Sequence, residues 1–374
     1  MGCSVKGSVL ITGATGFVGM EVLARYLERS DRHLYALVRA SDDDAARERI
    51  DGVLTNLFGL RARRYAGRVT AVAGELTAPG LGLGEERGRA LAGEVTTIVH
   101  SAASVSFALP LEEAREINLE GTRRMVEFAE LAMEQGGLDR YGHVSTAYVA
   151  GTHDGHFCES DLDVGQGFNN SYEQSKFEAE KLVRSHPNLP ATIMRPSIVV
   201  GDQRSGWTSA FNVLYWPLRA FARGLFESVP AVASAPVDVV SVDYVADGIY
   251  ELCEGPGGIG ETYHLTAGSS ASTIGEIAQM ASGYFRRPVP KVLPPDEFEI
   301  DPDSREGQAL EGSRVFFPYF SIKAVFDNAA TRSRLDPVGI VAAPLREYLD
   351  RLLDFATRTR WGKRPIARGE ALAS

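Results

Sequence analysis

A β-branched run, SVLIT at 8–12, passes straight into the glycine pattern ITGATGFVG at 11–19. Beyond it, Val18, Val22, Leu23, Tyr26 and Leu27 recur at helical intervals. A strand, a GxxGxxG turn and a helix in that order restrict a fold tightly. Gly13 lets the chain turn sharply, Gly16 lets backbone approach a pyrophosphate, and Gly19 lets the helix pack closely on the strand. The free N–H groups and the positive end of the helix dipole then face the phosphates. The pattern predicts a dinucleotide site at the first strand of a doubly wound sheet.

The alternation continues through the first 200 residues. Apolar runs at 33–39, 68–74, 95–101, 140–149 and 191–200 alternate with amphipathic stretches at 42–58, 111–135 and 172–185. This predicts an α/β fold: a Rossmann-type doubly wound parallel sheet with helices on both faces. The texture changes after residue 201. Trp207, Phe211, Tyr215, Trp216, Phe221 and Phe226 crowd one segment, a strand and a helix resume over 236–252, and ETYHLTAG at 261–268 reads as a further strand. Helices are expected near 273–284 and 341–357. Residues 1–201 with 236–268 are assigned to the NADP-binding Rossmann domain, and 202–235 with 269–374 to a smaller, mixed, C-terminal substrate-binding cap. The aromatic stretch either shields a bound apolar group or forms the core of the cap.

The choice of dinucleotide is read about 20 residues beyond the third glycine. An acid there would hydrogen-bond a free ribose 2′-hydroxyl; the residue is Arg39. A guanidinium suits a 2′-phosphate, and Arg49 in the following helix supplies a second, which favours NADPH over NADH. Asp42, Asp43 and Asp44 stand close by and weigh the other way.

SYEQSK at 171–176 sets Tyr172 and Lys176 four apart on one helical face. A phenol of ordinary pKa, about 10, exchanges protons poorly at neutral pH, and a nearby ammonium favours the phenolate. Thr146, in HVSTAYV at 143–149, offers a hydroxyl to share a substrate oxygen with the tyrosine. Asn118, in INLEGT at 117–122, either holds a water near the lysine or caps the long helix.

Together these segments resemble the short-chain dehydrogenase/reductase superfamily in its extended form. More narrowly, LVRA (37–40), GELTAPGLGL (74–83), HSAASVSF (100–107), SYEQSKFEAEKLV (171–183) and MRPSIVVGD (194–202) are similar to the fatty acyl-CoA reductase and thioester reductase branch. That branch includes the terminal reductase domains of carboxylic acid reductases and peptide synthetases. The resemblance extends over residues 8–270. It implies a catalytic set of Thr146, Tyr172 and Lys176, with Asn118 as fourth member and Ser145 as the adjacent alternative to Thr146. It implies a cofactor-binding set of Gly13, Thr15, Gly16, Phe17, Val18, Gly19, Arg39, Arg49, Glu75, Leu76, Ser101, Ala102, Ala103, Tyr172, Lys176, Pro196, Ser197 and Ile198. Glu75 stands where the branch usually has Asp beside the adenine. The implied reaction is NADPH-dependent reduction of an acyl thioester, carried on CoA or an acyl carrier protein, to an aldehyde, with further reduction to the alcohol left open.

Two other readings share these residues: a nucleotide-sugar epimerase/dehydratase or hydroxysteroid-type dehydrogenase on the same fold, and a cofactor-sensing binding protein. A balance of 39 Lys and Arg against 49 Asp and Glu, net −10, argues against nucleic acid as a partner. No apolar run is long enough to span a membrane. Two basic clusters, Arg61, Arg63, Arg64 and Arg68, and Arg358, Arg360, Lys363, Arg364 and Arg368, offer a surface to an acidic carrier protein or to peripheral contact with an anionic membrane. Arg219 and Arg223 offer the same to a CoA phosphate. Cys3, Cys158 and Cys253 form no CxxC pair and the histidines show no metal-ligand spacing, so neither a disulfide framework nor a metal is expected. The expectation is a cytoplasmic monomer or homodimer.

Overall fold

The computed structural model describes residues 7–211, 213–225, 227–294, 297, 298, 307 and 314–373; Cys3 and Phe226 lie outside the described residues. Seven strands form the central sheet: β1 (Ser8–Thr12), β2 (Leu34–Val38), β3 (Val69–Ala73), β4 (Val95–His100), β5 (Arg140–Val144), β7 (Ala191–Pro196) and β12 (Thr262–Leu265). Their order is β12-β7-β5-β4-β1-β2-β3, and every neighbouring pair is parallel. The chain order reverses beside β1, which opens a crevice between β1 and β4 at the strands' C-terminal ends. Short strands β6 (Asp154–Phe157), β8 (Ile198–Val200), β9 (Ser228–Pro230), β10 (Pro236–Val237), β11 (Val239–Ser241), β13 (Ser272–Thr273), β14 (Lys291–Leu293) and β15 (Lys323–Phe326) pair two by two: β8 with β11, β6 with β15, β9 with β14 and β10 with β13.

Alternation along β1 shows why both faces are covered. Val9 and Ile11 pack with Val22 and Leu23 of α1 (Phe17–Arg29) and Ile249 of α8 (Val242–Glu254). Leu10 points the other way, into a core with Leu91 of α3 (Glu85–Glu94) and Met125 and Phe128 of α5 (Gly121–Gln135). Each such fully buried aliphatic side chain contributes about 1.5–3 kcal/mol. A third core joins Tyr215, Leu218 and Phe221 of α7 (Tyr215–Ala222), Ile277 and Ala281 of α9 (Ile274–Phe285) and Leu352 and Leu353 of the helix Leu349–Arg358.

Four expected elements differ in detail. The run 140–149 stops as a strand at Val144, and residues 147–150 form a 3₁₀ turn opened by Thr146, whose hydroxyl oxygen accepts from the Tyr148 N–H at 3.3 Å. Local bonding of this kind competes with a sheet ladder. The run 191–200 splits at Ser197: β7 stays in the main sheet, while β8 leaves it to pair with β11. The long helix is divided into α4 (Leu111–Arg115), a π turn over Glu116–Glu120, and α5. The expected helix at 341–357 begins only at Leu349, because Pro344 and a 3₁₀ turn precede it.

Segments from the C-terminal part of the chain pack back onto its first half. β15 pairs with β6, and the short helix Arg368–Ala371 returns to α1, where Arg368 meets Glu21 at 2.6 Å. Between α5 and β7, α6 (Ser171–Arg184) starts at Asn170, whose side chain accepts from the Glu173 N–H at 3.0 Å. This cap fixes the first turn that carries Tyr172 and contributes about 1 kcal/mol.

Candidate functional site

A cleft of about 1060 Å³ crosses the C-terminal ends of the sheet strands. Gly13, Arg39, Gly74, Ser101 and Ser145, each at or next to a strand's C-terminal end, line it. So does every residue of the expected cofactor set, including Thr15, Phe17, Val18, Glu75, Leu76, Ala102, Ala103, Pro196, Ser197 and Ile198. Thr146, Tyr172 and Lys176 line the same cleft, whereas Asn118 is buried behind it.

The glycine turn is shaped by what a side chain would strike. Gly13 has φ +76°, and a Cβ there would lie 2.8 Å from the Ala102 nitrogen. A Cβ on Gly19 would lie 2.1 Å from the Gly13 carbonyl oxygen. Gly16 is exposed to the cleft at the start of α1, where no side chain caps the helix. The helix thus presents open N–H groups and its positive end to the cleft, which suits a dinucleotide pyrophosphate.

Arg39 and Arg49 are exposed on the rim, joined by a hydrogen bond from the Arg49 guanidinium to the Arg39 carbonyl; Arg49 also reaches the Thr15 hydroxyl at 3.4 Å. Two of the three neighbouring acids are engaged elsewhere. Asp42 caps α2 (Asp43–Phe58) by accepting from the Ala45 N–H at 2.8 Å, while Asp43 accepts from the Ala73 N–H at 2.9 Å and pairs with Arg87 at 2.8 Å. Glu75 is half-buried and accepts from the Thr77 N–H at 3.3 Å.

Burial pushes the Tyr172 phenol up to about 12; the Thr146 hydroxyl beside it pulls the other way, and Glu173 raises it further. Burial thus favours the protonated phenol. Lys176 lines the same cleft. Its Nζ donates to the Val144 carbonyl at 2.8 Å, and burial lowers its own pKa to about 8, against the pull of Glu180. The Ser145 hydroxyl donates to Glu180 at 2.7 Å, and the Thr146 hydroxyl donates to the Pro196 carbonyl at 3.4 Å. Glu180 in turn makes a two-pronged pair with the fully buried Arg195, at 3.0 and 2.6 Å.

Asn118 neither caps a helix nor keeps its amide free. It lies in the π turn and bonds Ser104 and Ser175. A buried relay that the sequence did not announce runs beside it. The Thr122 hydroxyl donates to the Asn118 carbonyl at 2.6 Å, so it receives from His100 Nε2 at 3.2 Å. His100 Nδ1 then accepts from the Thr12 hydroxyl at 2.8 Å, and Thr12 accepts from the Ala102 N–H at 3.1 Å. Burial, with Lys176 nearby, holds His100 neutral, its pKa lowered to about 3. The only sequence signal was His100 standing between an apolar run and the loop 101–107.

Other expected contacts resolve into structure. Arg368 is buried on Glu21, and Arg68 donates to the carbonyls of Leu27, Ser30 and Arg32. Both leave their basic clusters. Trp207 and Tyr215 are core residues, the former donating to the Ile366 carbonyl at 3.1 Å, while Trp216 remains exposed with Arg219 over its ring. No helix among the described residues is long and apolar enough to cross a membrane.

Residues 11–249 match the family of NAD-binding domains described as Male sterility protein. Over 274 residues, 70% of the chain, the sequence is 31% identical to the nonribosomal peptide synthetase asaC of Aspergillus flavus. Over 257 residues, 64% of the chain, it is 33% identical to the L-2-aminoadipate reductase large subunit of Eremothecium gossypii. A Drosophila melanogaster protein provisionally named fatty acyl-CoA reductase CG8303 is 30% identical over 64% of the chain. The matches span only 26%, 18% and 50% of those proteins. The crystal structure of the terminal R domain from the myxalamid PKS-NRPS pathway superposes with a TM-score of 0.82 at 28% identity, covering 98% of this chain and 94% of that one. UDP-glucuronic acid 4-epimerase from Bacillus cereus in complex with NAD shares the fold alone: TM-score 0.66, 17% identity, 96% and 99% covered.

Proposed function

Because the chain belongs to the Male sterility protein family of NAD-binding domains, oxidoreductases of the extended short-chain dehydrogenase/reductase type, we propose that it reduces an acyl thioester with NADPH, releasing an aldehyde and a thiol. The observation that carries this reading is that Thr146, Tyr172 and Lys176 line the same cleft as the glycine turn. The names of the relatives supply the substrate class: an aminoadipate reductase, a peptide synthetase and a fatty acyl-CoA reductase.

When bound, the nicotinamide supplies hydride to the thioester carbonyl carbon. Tyr172, neutral at pH 7, and Thr146 donate hydrogen bonds to the carbonyl oxygen as it gains charge, which lowers the barrier where charge develops. Lys176, whose Nζ donates to the Val144 carbonyl, would hold the nicotinamide ribose. Proton donation to the departing sulfur as the hemithioacetal collapses completes the balance: thioester, hydride and a proton give aldehyde and thiol. Arg39, with Arg49 beside it, selects the 2′-phosphate, since Asp42 and Asp43 are held by other partners. The acyl group arrives as a CoA ester or on a carrier protein.

The test follows NADPH oxidation at 340 nm against an acyl-CoA panel, with Tyr172→Phe as control. Substrate-dependent oxidation that yields aldehyde or alcohol and falls roughly 10²–10⁴-fold in Tyr172→Phe is expected. Tight NADPH binding without turnover on any CoA or carrier-bound thioester would instead favour the sugar- or steroid-type chemistry of the same fold.

A further inference from the structure

Next to the reaction cleft lies a second, smaller cavity of about 90 Å³. Ile198, Val213 and Tyr319 line both spaces, and Leu218 of α7 with Ile277 and Ala278 of α9 line the smaller one alone. Among the described lining residues, Tyr319 carries the only polar side-chain atom, and that hydroxyl is turned away. It donates to the buried Glu173 carboxylate at 2.6 Å and accepts from Asn170 Nδ2 at 3.0 Å. The ring is thereby fixed. It stacks on Phe107 with centroids 5.2 Å apart and planes at 11°, and Phe107 lies 5.7 Å from Tyr172. Tyr319 therefore stands between the proposed reacting groups and the slot, held by the two residues that flank the start of α6.

We propose that this slot receives the distal end of the acyl group, so that Tyr319 and Ala278 select thioesters with a short, apolar acyl terminus. The inference rests on the thioester reductase reading and names its substrate class. The occupant follows from three observations. The slot shares lining residues with the reaction cleft, its described lining side chains offer a polar terminus no free partner, and its volume admits about three methylene-sized groups, given that a water's share of liquid volume is about 30 Å³ and that a cavity of about 150 Å³ takes benzene. A carboxylate or ammonium at the acyl end would be desolvated there without compensation. Glu173 does not provide that compensation, because Tyr319 occupies it.

The test uses saturated acyl-pantetheine thioesters from acetyl to decanoyl, with adipoyl as the polar-ended counterpart of hexanoyl. The pantetheine arm is common to CoA and carrier proteins. In the wild type, kcat/KM is expected to rise with chain length to an optimum and then fall, and hexanoyl should exceed adipoyl at least tenfold, the scale on which apolar pockets discriminate. Ala278→Phe, which fills the slot, should lower the hexanoyl-to-acetyl ratio of kcat/KM at least tenfold. Leu218→Ala, which enlarges it, should move the optimum to a longer chain. NADPH binding, read by fluorescence titration, checks that each variant has kept its fold. If both variants bind NADPH but lower all chain lengths in proportion, the slot does not hold the acyl end. If hexanoyl and adipoyl are used equally, it does not select for apolarity. A wild type that binds NADPH and reduces no thioester sinks the reductase reading itself, a result distinct from either.

Discussion

Asn118 grips Ser104 with both ends of its amide: Oδ1 accepts from the Ser104 N–H at 2.8 Å, and Nδ2 donates to the Ser104 carbonyl at 3.0 Å. The remaining Nδ2 proton goes to the Ser175 hydroxyl at 3.0 Å, one residue before Lys176. A single buried side chain thus ties the cleft loop after β4 to the helix that carries Tyr172 and Lys176. The π turn over Glu116–Glu120 holds it there, and such bulges recur at functional sites.

Replacing Asn118 with Ala should therefore act on both stability and cofactor binding. The Ser104 N–H and carbonyl lose their partners, and each unsatisfied buried polar group costs about 1–3 kcal/mol. Denaturant unfolding should show a loss of about 2 kcal/mol or more, and the Kd for NADPH should rise roughly tenfold as the loop loosens. Asn118→Asp keeps the acceptor but neither donor, and should fall between. An Asn118→Ala protein of wild-type stability and affinity would show that the loop is held by other contacts.

The sheet and most of the cleft were legible because glycines, apolar runs and a helical i, i+4 pair are local patterns. The φ of Gly13, the position of Arg39 after β2 and the shared face of Tyr172 and Lys176 all follow from neighbours in sequence. What escaped depends on distant partners. Asn118 reads as either a water-holding amide or a helix cap until Ser104 and Ser175 are seen around it. Ser145 reads as a spare hydroxyl until Glu180 claims it, 35 residues away. Lys176 was expected to lower the tyrosine's pKa, yet burial dominates at both groups and sends the two in opposite directions. Short strands such as β6 and β15 carry too few residues to show a period, and pair across the two halves of the chain.

Lys176 gives a pH dependence of definite sign. Its pKa in the fold is lowered from 10.5 to about 8, so the ammonium is present at pH 7 and lost as pH rises through about 8. For NADPH as varied substrate, kcat/KM should fall above that pH, and Lys176→Arg, which keeps its charge, should lack this limb whatever its overall activity. Stability runs the other way. Below about pH 8 the buried ammonium costs roughly 3 kcal/mol relative to the unfolded chain, and this cost fades between about 8 and 10.5, where the unfolded chain binds more protons. Lys176→Met should thus be inactive yet at least as stable at pH 7, with its advantage shrinking toward pH 10. Unfolding curves at several pH values read this directly, and an advantage that grows with pH would contradict it.

Arg39 and Arg49 should separate the two dinucleotides. Removing a guanidinium from a 2′-phosphate takes away a charge-assisted contact of about 1.5–3 kcal/mol, so Arg39→Ala should raise KM for NADPH by roughly 10- to 100-fold and leave KM for NADH nearly unchanged. Arg49→Ala should have the smaller effect on NADPH, since its guanidinium is already turned to the Arg39 carbonyl and Thr15. Initial rates with both cofactors at several ionic strengths decide the matter. Equal losses for NADPH and NADH would place the arginine on a part of the cofactor common to both.

Gly16 and Gly19 serve the same cofactor for different reasons, and alanine distinguishes them. At Gly19 the added methyl carbon would lie 2.1 Å from the Gly13 carbonyl oxygen and 2.6 Å from its carbonyl carbon. Both are backbone atoms of the phosphate turn, so α1 must move away from β1. Gly19→Ala should lose both stability, by about 1–3 kcal/mol as in other overpacked sites, and NADPH binding. At Gly16 the added carbon meets only the Gly13 oxygen, at 3.2 Å, and otherwise projects into open cleft. Gly16→Ala should keep the wild-type unfolding midpoint while a methyl group stands where the pyrophosphate approaches the helix end, weakening NADPH by roughly tenfold or more. Thermal melts without cofactor and fluorescence titration with it measure the two effects independently. A Gly16→Ala protein that binds NADPH normally would mean that the phosphates do not approach this turn.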